Sequence, residues 1–235
     1  MKKHMHSGLL ASVLTVAALL AAPAAAHAED AAKSSPVKVG VTLTGATDYV
    51  WRGASQSNGD PAVFAAVNVS MGGFYAGAGT ENVKFLGINQ EYDLWAGYVL
   101  DLKAAKLDVG VVRYGYVNSP INIDTVEVKG QLSGNIGKVG AHAAIYYTGN
   151  YFGSHKNAVY TEVGASVPVM AKLSASAVFG HQQISGGGGY NTWNVGASYA
   201  LMKGVSLDVR YHDTDISPSG SLTKSRLVAS LSVSF

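Results

Sequence analysis

From about residue 37 onward, hydrophobic and polar residues alternate along the chain. Val205, Leu207, Val209 and Tyr211 stand against Ser206, Asp208, Arg210 and His212. Val126, Val128 and Leu132 stand against Glu127, Lys129, Gln131 and Ser133. The chain closes in the same way, with Leu227, Ala229, Leu231, Val233 and Phe235 against Arg226, Ser230, Ser232 and Ser234; Val228 is the exception. A period of two marks strands whose faces meet different surroundings. Turn residues divide the pattern into twelve segments, near 37–52, 60–71, 73–84, 89–101, 106–117, 123–135, 138–151, 157–168, 172–184, 190–201, 204–215 and 224–235. None has a helical period, and the density of Gly, Val, Thr, Ser and Tyr favours strands. In the fifth segment Leu107, Val109 and Val111 share parity with Arg113, which predicts a bulge or a displaced boundary there.

An even number of strands brings both ends of an up-and-down barrel to one side, the periplasmic side in bacterial outer membranes. The connections at "MGGF", "LKAAK", "GNIGK", "PVMAK" and "LMKG" are tight. Those at "GASQSNGD", "NSPINI", "FGSHK", "SGGGGY" and "SPSGSLT" are longer, with "KFLGI" a short exception. None is long by porin standards, which predicts a lumen without a folded-in plug.

Alternation alone does not say which face points outward, since a soluble lipocalin-like barrel turns its apolar face inward. The aromatic residues do. Tyr49, Trp51, Tyr114, Tyr116, Tyr147, Tyr151, Phe179, Tyr190, Trp193 and Tyr211 fall at one rim of the expected barrel, and Phe74, Tyr98, Tyr199 and Phe235 at the other. Two aromatic girdles suit two membrane–water interfaces. The expected fold is all-β, a transmembrane antiparallel up-and-down β-barrel of about twelve strands.

The start of the chain fits export. Lys2 and Lys3 precede an apolar run from Leu9 to Ala22, and "AHAED" offers an Ala-x-Ala cleavage site after Ala28. This divides the chain into a signal peptide (1–28), a short polar periplasmic leader (29–36) and the barrel (37–235). Removing residues 1–28 takes Lys+Arg from 17 to 15, against 15 Asp+Glu, so the remainder is formally neutral and no nucleic-acid partner is implied. With no cysteine in the chain there are no disulfides and no thiolate chemistry. The expected partners are outer-membrane lipid and lipopolysaccharide, the barrel-assembly machinery and small polar solutes, with the protein acting as a monomer.

Candidate chemistry is sparse. His142, His155, His181 and His212 have no nucleophile and acid at triad spacing, so catalysis is not expected. No histidine pair joins a carboxylate cluster, so neither a metal site nor a cofactor is expected. The informative set is the charge on the inward face. Asp93, Glu127, Lys129, Glu162, Asp208, Arg210 and Arg226, with Glu91 beside them, are the candidate pore-lining residues, joined by Arg52 where the first segment meets its loop. Buried charges need partners or water. Two readings follow: a wet, narrow diffusion channel for small polar solutes or ions, or a lumen closed by a network joining Arg210, Glu162, Lys129 and Glu127 in a structural or interaction barrel. A lipid-modifying enzyme is a distant third.

The stretch "TDYVWRGASQSNGDPA", followed by "GFYAG", resembles the TorF-family porins, a bacterial family also described as Gcw_chp outer-membrane proteins. Asp48, Tyr49, Trp51, Arg52, Gly53, Ser55, Gln56, Asp60 and Pro61 carry the resemblance. It implies an outer-membrane β-barrel of porin type and brings no substrate with it.

Overall fold

The computed structural model describes residues 37–235; the expected signal peptide (1–28) and leader (29–36) lie outside the described residues. Twelve strands form one closed antiparallel barrel. They are β1 (Lys38–Ala46), β2 (Ala62–Met71), β3 (Phe74–Phe85), β4 (Ile88–Asp101), β5 (Ala105–Tyr116) and β6 (Thr125–Ile136). The second half comprises β7 (Val139–Thr148), β8 (Ala158–Met170), β9 (Leu173–Ile184), β10 (Gly188–Met202), β11 (Val205–Thr214) and β12 (Arg226–Ser234). Each strand pairs with its sequence neighbours, and β12 returns to pair with β1 from Thr42↔Ser234 to Ala46↔Ser230. The seam runs on to Phe235, whose N–H donates to the Val41 carbonyl (2.9 Å) and whose carbonyl accepts from Val41 N–H (3.3 Å). Hydroxyls bridge it on the inner face, Thr44 with Ser232 at 2.8 Å and Thr42 with Ser234 at 3.2 Å. Closure leaves no unpaired edge, which a sheet crossing hydrocarbon requires.

The alternation is realised with its apolar side outward. Val63, Val126, Val195, Leu207, Val209 and Leu231 are exposed, whereas Asp208, Arg210, Glu127, Lys129 and Ser232 are buried. This is the inverse of a water-soluble barrel, and it is the arrangement suited to a hydrocarbon surround. Phe74, Tyr98, Tyr199 and Phe235 are all exposed at the end where β1 begins and β12 stops.

Three expectations need correction. The fifth strand holds no bulge: β5 pairs in unbroken register with β4 and β6. Register shifts lie instead near strand ends, at Asn82/Phe85, Pro168/Met170 and Ala200/Met202. Arg113 keeps its outward parity because it stands near the loop end, where it binds Asp124 at 2.7 Å and stacks over Tyr92; a long cation reaches the interface there.

The second correction concerns the girdle at the loop end. Tyr147, Phe179 and Tyr211 face outward, but Tyr49, Tyr114 and Tyr116 are buried inside. Their height was legible; their face was not.

The third correction is the largest. The first segment does not run to residue 52: β1 stops at Ala46, and the following residues turn into the lumen as a loop (47–61). Within it Val50–Trp51 pairs with Ala54–Ser55 in a small hairpin. A folded-in loop is therefore present where none was expected.

Candidate functional site

The loop is built around Asp48. One carboxylate oxygen accepts from Ser55 Oγ (2.7 Å) and Ser57 Oγ (2.8 Å), and the other from Arg226 (2.5 Å) on β12. Ser57 Oγ in turn accepts the Tyr49 N–H (3.0 Å), and Ser55 Oγ accepts the Gly59 N–H (2.9 Å). Gly53 has φ +82, and a Cβ there would collide with the side chains of Thr192 and Thr214. Only glycine suits both demands. At the outer end of the loop Asp60 meets Lys84 at 2.6 Å, the Pro61 carbonyl accepts from Asn82, and Gln56 bonds back to the Ala54 carbonyl. The residues that carry the family resemblance are thus mostly those that shape this loop.

Its tip delivers Arg52 to the far wall. The guanidinium donates two parallel bonds to Glu127, at 2.9 and 2.6 Å, and a third to Gln182 Oε1 at 3.0 Å. It also lies over three rings, 4.1 Å from the Trp51 centroid, 4.2 Å from Tyr160 and 5.1 Å from Tyr146. A planar, always-charged fork is the side chain that can make both kinds of contact together. Glu127, Tyr146, Tyr160 and Gln182 come from β6, β7, β8 and β9, while the loop springs from between β1 and β2. In a ring of twelve strands those origins are diametrically opposed, so Arg52 spans the lumen. Trp51 packs edge-on against Tyr114 (5.7 Å) and Phe152 (5.4 Å), the latter from the loop after β7.

The other candidate residues lie on the inward-facing positions of their strands, but Arg210, Glu162, Lys129 and Glu127 do not form one network. Each of these four has a separate partner, Arg52 being that of Glu127. Lys129 meets Asp108 at 2.7 Å, and Tyr75 donates to the same carboxylate. Arg210 binds Asp208 at 3.0 Å, with Asn194 and Ser176 taking its remaining donors, and Asp208 also accepts from Ser198. Glu162 lies 3.3 Å from His142. Arg226 is taken by Asp48. Short-range pairing wins because successive inward residues on neighbouring strands already lie within reach, and only the loop brings a charge across the lumen. Asp93 and Glu91 are inward and buried but have no cation beside them.

A family model described as "Bacterial protein of unknown function (Gcw_chp)" matches residues 30–235; that description does not carry the TorF name. No curated protein sequence matches the chain. Among solved structures, the KdgM porin superposes with a TM-score of 0.61 at 9% identity, over 83% of this chain and 99% of that one. A second KdgM structure, in complex with disordered oligogalacturonate, gives 0.60 at 9% identity over 83% and 99%. The NanC porin gives 0.59 at 13% identity over 83% and 98%. At such identities the likeness is one of fold.

Proposed function

The chain belongs to the Gcw_chp family of bacterial proteins, and on that premise we propose that it is an outer-membrane barrel of porin type, a narrow channel for small polar solutes or ions whose constriction is the first loop. The observation that carries this reading is the Arg52–Glu127 bridge, set by a dedicated loop across a barrel with a polar interior and an apolar exterior. A barrel serving only as a membrane anchor could fill its lumen with side chains from its own strands, as eight-stranded barrels do. Here twelve strands enclose a wider space, and one loop narrows it at one level.

The termini face the periplasm in this reading, and the surrounding partners are lipid and lipopolysaccharide. The lumen cations Arg52, Lys129, Arg210 and Arg226 each have a carboxylate partner within 3.0 Å. No cation among these four is left to line a track for an acidic chain such as the oligogalacturonate bound to KdgM. Small neutral or singly charged polar solutes fit better.

Planar-bilayer recording of the refolded protein tests the proposal. The wild type gives small, steady conductance steps, and Arg52→Ala enlarges them and moves ion preference toward cations, because Glu127 is left uncompensated. The shift in preference shrinks with added salt as the Debye length falls from about 10 Å at 0.1 M to about 3 Å at 1 M. A wild type that is silent, and stays silent in Arg52→Ala, identifies a structural barrel instead.

A further inference from the structure

Glu81 on β3 and Glu91 and Asp93 on β4 form a cluster that the channel does not use. All three are buried, at 6%, 2% and 3% exposure, and one carboxylate oxygen of each lies within 4.8 Å of the other two. Glu81 and Glu91 are direct cross-strand partners, and Asp93 lies opposite Gly79, two residues along the same inner face. Like charges directly opposite one another destabilise a strand pair. The other buried lumen carboxylates, Asp48, Asp108, Glu127 and Asp208, each have a Lys or Arg partner. Among the described residues no lysine, arginine or histidine nitrogen pairs with any of these three.

A second observation is independent of the charges. Glu81 Oε1, Glu91 Oε2 and Asp93 Oδ1 are buried without any hydrogen-bond partner. The Tyr116 hydroxyl reaches Glu91 Oε1 at 3.1 Å, and Tyr49 lies beside the same carboxylate. Tyr49, Phe64, Val83, Tyr114 and Tyr116 make up the apolar packing around this part of the wall. Each of the three carboxylates thus holds a buried oxygen that no protein donor meets, and the three groups stand within 4.8 Å of one another.

The geometry points to a divalent-cation site formed by Glu81, Glu91 and Asp93, with calcium as its occupant. All-oxygen, carboxylate-rich ligation suits hard cations. Carboxylates this close can close on one ion by small side-chain rotations, and calcium accepts irregular geometry at bonds of about 2.3–2.6 Å, whereas magnesium prefers shorter bonds, strict octahedral geometry and several retained waters. The ion neutralises the cross-strand repulsion and ties β3 to β4 beside the root of the lumen loop. The site does not depend on whether solutes pass through the barrel.

The test uses the full-length protein refolded in lipopolysaccharide-free detergent and stripped with EDTA. Terbium(III) serves as the probe, since nearby tyrosines sensitise its luminescence. One terbium binds per chain, calcium displaces it and magnesium does so only at higher concentration. Glu91→Gln and Asp93→Asn each weaken binding at least tenfold, whereas Glu162→Gln, which alters a lumen carboxylate elsewhere, leaves it unchanged. No saturable luminescence, better competition by magnesium than by calcium, or an equal loss in Glu162→Gln each overturns the assignment. Should the neutral variants fail to fold, the wild type decides. Its urea midpoint must rise with calcium and fall back with EDTA, and a midpoint indifferent to both rejects the site.

Discussion

Arg52 concentrates more interactions than any other candidate residue in the lumen. It is 8% exposed, makes a two-pronged bond to Glu127 and stacks on three rings. Removing one partner of a buried pair leaves the other charge without compensation, at a cost of about 3–5 kcal/mol. Arg52→Ala should therefore lower the unfolding free energy by that margin, read from urea titrations of tryptophan fluorescence, with Trp51 as a local reporter. Arg52→Lys should recover only part of it, because an ammonium cannot fork or stack in the same way. The sequence motif named Arg52 and placed it inside. It did not disclose the partner, because Glu127 is remote in sequence and only closure of the barrel brings the two together. Glu81 escaped notice for a related reason. It lies among small and polar residues in "GAGTENVKF", and its meaning depends on the register that sets it opposite Glu91.

At the level of strands, period-two alternation was legible almost everywhere because each face meets one solvent along its whole length. It misled where a loop continued the alternation. "ATDYVWRG" keeps strand-like chemistry past Ala46, while the Asp48, Ser55 and Ser57 bonds and the positive φ at Arg52 and Gly53 turn it inward. Asp48→Ala should thus free the loop without unmaking a strand. The expected result is faster proteolysis within 47–61 in detergent, with heat-modifiable gel migration retained. On the outer face, Val209→Arg should cost about 2–4 kcal/mol in a bilayer, as cations do near mid-membrane. Ser206→Arg, three residues away on the inner face, should be mild. Ser232→Arg should be worse than Ser206→Arg, because Ser232 is buried and bonds Thr44 across the seam. Reversible unfolding into liposomes checks all three.

For the whole molecule, strand count, closure and the apolar exterior followed from the sequence, because a chain of this pattern without a helical period can bury its backbone in lipid only by closing on itself. The occupancy of the lumen did not follow, since loop length alone says nothing about direction. The seam between β1 and β12 depends on Phe235 for its final pair of backbone bonds. Deleting Phe235 should slow assembly into membranes, followed as the rate at which the heat-modifiable band appears. Trimming two residues from the stretch 29–36 should not.

A thin-walled tube is stiff along its axis and soft against flattening, and lateral pressure from packed lipid acts on that soft mode. Squeezing a round cross-section into an oval moves opposite walls together or apart. Here one wall holds the root of the 47–61 loop and the opposite wall holds Glu127 and Gln182, so Arg52 joins them like a tie-rod across a pipe. Flattening along that diameter compresses the stacked rings, and flattening across it stretches the forked bond. The same residue that narrows the bore therefore also keeps it round.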